Sequence, residues 1–245
     1  SNVFAFLGLG LGVNAKKDKS SSDGKSIIED RIHTPTSLFY RLRKYLIDQK
    51  ILQIIEHDDQ LDSISSGDMI EVCGTLRRNP IIGVLDSAAK MMETAAIFTK
   101  LGQQDIKKGQ KTDPNKVASD TILSQMKAVR DSLENSEATD ILCKTVGGNA
   151  TIVLPTYSQY FFNRSKDEIT DGQYRVLGKV IKNVNEDSDE INLLRNTGFS
   201  LIKTNKAKGL FAALSQVSTD TLDIPEIVTS IKKPAILMIP IAIFV

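Results

Sequence analysis

The apolar residues after position 34 follow a helical spacing first and a strand spacing next. Thr34-Pro35 offers a capping oxygen followed by a proline suited to the first helical turn. Three leucines then recur every four residues, at Leu38, Leu42 and Leu46. This spacing predicts an amphipathic helix over 35–48. Short apolar runs bounded by polar residues or glycine predict strands over 51–55 and 68–76.

Two longer helices are expected in the middle of the chain. They begin at the pairs Asn79-Pro80 and Asp113-Pro114, and the polar connection 106–116 precedes the second. The second helix carries an apolar face at helical spacing: Ile122, Met126, Val129 and Leu133. This order suggests an antiparallel helical hairpin. The segment 136–146 is expected to continue or restart the second helix until Gly147-Gly148 ends it.

The second half of the chain is rich in runs that predict strands. The run 150–155 is typical of a buried strand, and 172–195 predicts a strand pair around the polar turn 186–190. The last run, 235–245, is almost continuously apolar, which predicts a strand buried on both faces. Pro240 cannot donate a ladder hydrogen bond, so we expect the strand to lie at an edge, bulge or leave the sheet there.

Helices and strands are mixed without the strict alternation of a doubly wound or α/β-barrel fold. We therefore predict an α+β protein with a mixed, largely antiparallel sheet that is partly covered by the helical hairpin. A single domain over 1–245 is expected, in which the N-terminal strand joins the C-terminal sheet. The alternative is a strand-helix region with the hairpin over 1–147 and a β-rich region over 148–245. The charged, serine-rich segment 15–31 is expected to be a flexible loop.

Composition limits the classes of partner. The chain has 31 basic and 30 acidic residues and a net charge of +1, so we expect no surface devoted to nucleic acid or anionic membrane. The apolar runs at both ends are too short to span a bilayer, and no membrane contact is expected. The two cysteines, Cys73 and Cys143, give neither a disulfide framework nor zinc-ligand spacing, which favours a cytoplasmic location.

Two glycine motifs approach nucleotide-binding patterns without completing them. Gly24-Lys25-Ser26 resembles the end of a phosphate-binding loop, but Lys19 occupies the position of the required first glycine. The alternating glycines at 8–12 lack the third glycine of a dinucleotide fingerprint, and no helical pattern follows them. No cofactor is expected.

Only two histidines are available for acid–base or metal chemistry, and the plentiful carboxylates fall in turns and polar loops. The histidines are His33 and His57, and His57 lies in the run 56–59, Glu-His-Asp-Asp. That run could bind a divalent cation weakly or form a solvated polar loop. No Ser-His-Asp or Cys-His signature is present. The sequence predicts no catalytic, cofactor-binding or metal-ligating residue, and it disfavours an enzyme.

The basic residues of the predicted helix 35–48 are Arg41, Arg43 and Lys44. A helix-turn-helix reader of DNA would need a preceding helix, and only a serine-rich segment precedes this one. We interpret the three side chains as a solvated face. Nucleic-acid binding through 35–48 is therefore the least favoured hypothesis.

A family resemblance rests on three longer strings: RIHTPTSLFYRL (31–42), GDMIEVCGTLRRNPIIGVLDS (67–87) and DGQYRVLGKVIKNVNEDSDEINLLRNTGFSL (171–201). Together they resemble an uncharacterised bacterial protein family that is carried only as a domain of unknown function. The resemblance implies a bacterial, cytoplasmic, stand-alone protein and brings no catalytic residues.

Two hypotheses on function remain open. The leading one is a non-catalytic cytoplasmic protein that works through protein–protein contacts or as a homo-oligomer, because long amphipathic helices can pack against a partner. The alternative is an enzyme or small-ligand-binding protein with a pocket between the helical hairpin and the sheet. Convergent polar groups in one cleft would favour the alternative.

Overall fold

The computed structural model describes residues 3–6, 34–102, 114–136, 138–161, 172–197 and 228–245. The predicted loop 15–31 lies outside these ranges. The helices within them are α1 (Pro35–Asp48), α2 (Pro80–Gly102) and α3 (Pro114–Glu134), with short 3-10 helices at Asp58–Ser63 and Ser158–Tyr160. None of the described helices is long and apolar enough to cross a membrane.

Nine strands are described. They are β1 (Val3–Phe6), β2 (Leu52–Ile55), β3 (Met69–Arg78), β4 (Ala138–Thr145), β5 (Thr151–Tyr157), β6 (Gln173–Val184), β7 (Ile191–Asn192), β8 (Ser230–Ile231) and β9 (Ala235–Phe244). The predicted α+β class with a mixed, largely antiparallel sheet is confirmed.

Five of the strands close into a barrel. Strands β3, β4 and β5 pair in sequence, and β6 returns to pair with the other edge of β3, which is a Greek key. Strand β9 completes the circle, antiparallel to β6 and parallel to β5. A five-stranded Greek-key barrel is the architecture of the OB-fold. Strand β1 adds antiparallel to β9, as expected for the N-terminal strand, and β2 adds parallel to β3.

A glycine allows two strands to follow one another along the same edge of β3. Strand β2 pairs with that edge over residues 69–72 and β4 over residues 74–78, whereas β6 pairs with the opposite edge over residues 69–75. A Cβ at Gly74 would lie 2.6 Å from the backbone oxygen of Lys144. The barrel therefore closes at Gly74 only because that residue has no side chain.

The barrel encloses the central core, and each of two outer faces packs under helices. The interior includes Ile70, Val72, Leu76, Ile152, Leu154, Val176 and Ile236. Helix α1 covers one outer face through Phe39, which contacts Phe244 of β9 at 4.8 Å between ring centroids. The predicted start of α1 is confirmed, because the Thr34 hydroxyl accepts a hydrogen bond from the Ser37 N–H at 3.2 Å.

Helices α2 and α3 form the predicted hairpin and cover the other outer face. Ion pairs of 2.6 Å, from Lys127 to Glu93 and from Arg130 to Asp86, tie the two helices together. Three of the predicted face residues are buried against the sheet: Met126, Val129 and Leu133. The side chain of the fourth, Ile122, is not described. The hairpin packs on strands β4, β5 and β9, among others, through Leu142, Val153, Ala235 and Leu237.

The segment 136–146 does not continue the helix as predicted. Helix α3 ends at Glu134, and Ala138–Thr145 forms β4. The three consecutive apolar residues 141–143 are shared between the barrel interior and the hairpin face. A strand buried on both faces has the same short apolar run as a buried helix, so periodicity could not separate them.

The predicted strand pair over 172–195 is also wrong in its second half. Strand β6 forms as expected, but it pairs with β3 and β9, which occupy both of its edges. The chain after the turn is therefore displaced. Its two-residue strand β7 pairs with β8, and its apolar residues pack against the helical hairpin.

Strand β9 confirms the expectation for the C-terminal run. Most of its residues are buried. The register with β6 shifts where Gly178 faces Pro240 and Leu177 faces Ala242, so Ile241 is an extra residue on β9. The missing N–H of Pro240 is thus accommodated by a bulge.

Candidate functional site

A cleft opens on the outer face of the barrel where β3 exchanges one neighbour for another. Strand β2 stops pairing at Ile55, opposite Val72, and β4 takes over the same edge of β3 at Thr145, opposite Gly74. The N–H of Val146 bonds the Cys73 carbonyl at 3.2 Å, which closes the edge. The cleft at this junction has a volume of about 230 Å³. It is lined by Ile54, Ile55, Glu56, His57, Asp58, Glu71, Cys73, Thr145, Val146 and Arg175.

Glu71 forms part of the floor of the cleft and holds two arginines. Its side chain is 0% exposed, and Arg43 of α1 donates to its two oxygens, from Nε at 2.6 Å and from Nη2 at 3.0 Å. Arg175 of β6 donates from Nη1 to Oε1 at 2.9 Å. A buried carboxylate is tolerated only when it is paired and hydrogen-bonded, and Glu71 meets both conditions.

The two arginines are held differently. Arg43 faces both oxygens of Glu71 as a fork and lies 5.9 Å from the centroid of the Phe244 ring. The hydrogen bond with Glu71 raises the pKa of Arg43 above its ordinary value. Arg175 uses a single nitrogen, and its side chain is 48% exposed. Among the described residues no partner contacts its other N–H groups, so Arg175 presents fixed, unused donors to the cleft.

Asp58 braces the wall formed by the chain after β2. Its carboxylate accepts hydrogen bonds from the Thr145 hydroxyl at 2.7 Å and from the backbone N–H groups of Asn149 and Ala150 at 2.6 and 2.8 Å. These bonds fasten the β4–β5 turn to the 3-10 helix at Asp58–Ser63. Asp58 therefore has a structural role within the run 56–59 considered above as a weak cation site.

The other residues of the run 56–59, Glu56, His57 and Asp59, are exposed. Glu56 and His57 line the cleft. No group of three or more potential ligands that could hold a metal ion occurs within the described part of the chain. His33, Gly24-Lys25-Ser26 and the glycines at 8–12 lie outside that part.

The two cysteines occupy different environments, although neither forms a disulfide. Cys143 is 0% exposed in the barrel interior, and burial raises the pKa of its thiol to about 12. Cys73 is half-buried and lines the cleft, on β3 opposite Arg175 of β6. Because alkylation requires a thiolate that can reach and attack the reagent, the accessible Cys73 should react and the buried Cys143 should not.

Sequence reasoning missed Glu71 and Arg175, the two charged residues of the floor. A signal was present, because each is a charge inside an otherwise apolar strand run, in MIEVCG and YRVLG. Buried charges in strands are rare unless they are paired. Their partnership could not be inferred, since β3 and β6 are about a hundred residues apart.

The alternative hypothesis expected a pocket between the hairpin and the sheet, and the described side chains at that interface form an apolar cluster. The cleft lies elsewhere, between the end of β2 and the β4–β5 turn.

Fold and site together define an α+β protein with a five-stranded Greek-key barrel and a charged cleft at the junction of β2, β3 and β4. The chain belongs to the family of the domain of unknown function DUF6414, whose family profile matches residues 2–244. The resemblance to an uncharacterised family is thereby confirmed. No curated protein matches the chain, and no solved structure matches it.

Proposed function

We propose that this protein is a ligand-binding protein whose cleft receives the anionic group of a small molecule on Arg175. The observation that carries this proposal is the arrangement of Arg175, half-exposed in the cleft and held through one nitrogen by the buried Glu71. A guanidinium with free N–H groups binds carboxylate or phosphate oxygens through parallel hydrogen bonds.

Preorganisation supports the choice of Arg175. A free arginine side chain loses rotamer freedom on binding, which weakens the net affinity. Glu71 already fixes the Arg175 guanidinium, and Arg43 supplies a second positive charge beside the same carboxylate. The anion therefore meets a positioned donor set rather than a mobile side chain.

The covered faces of the barrel favour a small ligand over nucleic acid. OB-fold barrels bind oligonucleotides on the face of their second and third strands. The corresponding strands here, β4 and β5, carry the α2–α3 hairpin on that face. Arg43 of α1, one of the basic residues weighed for DNA contact, is committed to Glu71.

The test is the thermal unfolding midpoint in valerate, inorganic phosphate or sulfate, against chloride at constant ionic strength. At an anion concentration ten times the Kd, binding should stabilise the folded protein by about 1.4 kcal/mol, which raises the unfolding midpoint by roughly 3 °C for a chain of this size. Arg175→Gln should abolish the rise, whereas Arg77→Gln, an exposed arginine on β3 that does not line the cleft, should keep it. A rise that persists in Arg175→Gln, or no rise with any anion, would contradict the proposal.

Protein–protein contact remains a second candidate, and one feature of α1 favours it. Tyr40 and Ile47 lie seven residues apart on one helical face, 38% and 39% exposed. Tyr40 and Ile47 lie beside Arg43, on a face of α1 separate from the one that packs on the barrel.

Light scattering across protein concentrations tests whether this face of α1 joins two copies of the protein. Ile47→Lys should lower the mass if this face joins two copies, while the control Ile97→Lys on α2, 58% exposed in the parent chain, should not. A mass of one chain at every concentration would refute self-association.

A cytoplasmic location in a bacterium is part of the same proposal. The two free cysteines, one of them in an open cleft, support it, because reducing compartments preserve thiols. A membrane-impermeant maleimide should label Cys73 in lysed host cells and leave it unlabelled in intact cells. Labelling in intact cells would place the cleft outside the cytoplasm.

A further inference from the structure

The walls of the cleft carry opposite charges. Arg175 stands on β6 at one side, and Glu56 lies at the end of β2 at the other. Strands β2, β3 and β6 are neighbours in that order, and adjacent strands lie about 4.8 Å apart, so roughly 10 Å separates the two outer backbones. Two long side chains of opposite charge thus border one space above Cys73.

The other acids of the cleft are already neutralised or bonded. Glu71 is paired with both arginines, and Asp58 accepts three hydrogen bonds. Glu56 is exposed, and only its backbone N–H is bonded among the described residues, to the Gln60 side chain at 2.7 Å. Glu56 is thus the acidic group of the cleft that remains available to a ligand.

The lining also has an apolar part, beside the polar side chains of His57 and Thr145. Ile54 and Val146 are 39% and 46% exposed, and both line the cleft. The volume of about 230 Å³ is below the roughly 300–1,000 Å³ of sites for larger organic ligands. A bound molecule therefore combines a short aliphatic part with its charged groups.

We infer that the ligand is a zwitterion of the aliphatic α-amino acid class, with its carboxylate on Arg175, its ammonium on Glu56 and its side chain against Ile54 and Val146. This inference rests on the proposed function and specifies its ligand. A dianion such as phosphate would place a second negative charge near Glu56 and Asp58, which disfavours it.

The experiment compares three probes by calorimetric titration: norvaline, valerate with the same carbon chain and no amine, and butylamine, which has no carboxylate. Norvaline should bind at least ten-fold more tightly than valerate, and butylamine should bind most weakly. Glu56→Gln should remove the ten-fold advantage of norvaline, so that the variant binds norvaline and valerate equally. Asp59→Asn, an exposed acid three residues away that does not line the cleft, should leave both affinities unchanged.

The outcomes separate this inference from the proposed function. Equal affinity for norvaline and valerate in the parent chain would contradict the zwitterionic ligand, as would an advantage of norvaline that persists in Glu56→Gln. Neither result would contradict an anion site on Arg175. Failure of norvaline, valerate, phosphate and sulfate to bind overturns both.

Discussion

Arg175 donates a hydrogen bond from Nη1 to Oε1 of Glu71 on the neighbouring strand, at 2.9 Å. The carboxylate is fully buried, whereas the guanidinium side chain is 48% exposed. The ion pair therefore connects a buried carboxylate with a guanidinium that lies in the cleft. Glu71 also pairs with Arg43, and this second ion pair anchors α1 to the barrel.

Glu71→Gln should lower the free energy of unfolding by about 3 kcal/mol in urea denaturation. Removing one member of a buried ion pair costs about 3–5 kcal/mol, and the partial exposure of both arginines places this case at the lower end. Asp189→Asn, which removes the more exposed ion pair with Lys182, should change stability far less than Glu71→Gln does. Equal effects of the two substitutions would show that Glu71 is not an anchor.

Gly74→Ala should destabilise the protein or prevent its folding. Its Cβ would collide with the backbone oxygen of Lys144, which belongs to the β-ladder and cannot rotate away. Gly83→Ala is the matched control, because nothing lies within 4 Å of a Cβ at that helical position. It should raise stability by roughly 0.5–1 kcal/mol. Normal stability of Gly74→Ala in thermal denaturation would contradict the closed barrel.

Asp58→Ala should lower the free energy of unfolding by about 1–3 kcal/mol. The substitution removes the carboxylate that accepts hydrogen bonds from the Thr145 hydroxyl and from two backbone N–H groups of the β4–β5 turn. Asp59→Ala, at the exposed neighbouring position, should stay within about 0.5 kcal/mol of the parent. Hydrogen exchange should locate the loss at residues 145–150. Unchanged exchange there would mean that Asp58 does not brace the turn.

Alkaline pH should weaken the fold through Cys143. Burial raises the pKa of its thiol from an ordinary value of 9.0 to about 12 in the folded protein. Between these values the unfolded chain releases the proton and the folded chain keeps it, so stability falls as pH rises, by about 1.4 kcal/mol per pH unit from this group. Cys143→Ala should lack this contribution, which urea denaturation at pH 9 and 11 measures. Identical slopes in both proteins would contradict the burial of the thiol.

Local signals predicted the elements that depend on local chemistry. Thr34-Pro35 marked the start of α1, and Pro240 marked the irregularity in β9, because each acts through its own backbone or its near neighbours. The run 136–146 was misjudged for the opposite reason. Its strand conformation depends on β3 and β5, which pair with it on either side.

The candidate site could not be predicted from the sequence, again because it depends on contacts between distant parts of the chain. Glu71, Arg43 and Arg175 come from β3, α1 and β6, and their charges become informative only when the barrel brings them together. The closure itself was not predicted, since it depends on β6 returning to the free edge of β3. Long-range pairing of this kind leaves little trace in periodicity.

The alkylation rate of Cys73 tests the central claim most directly, because this thiol lies in the cleft beside Arg175 and the other cysteine is buried. Iodoacetamide should modify one thiol in the native protein and none in Cys73→Ser. Saturating valerate should slow the modification at least five-fold in the parent chain and leave the rate of Arg175→Gln unchanged. Equal rates with and without valerate, phosphate or norvaline in the parent chain would contradict a binding site on Arg175.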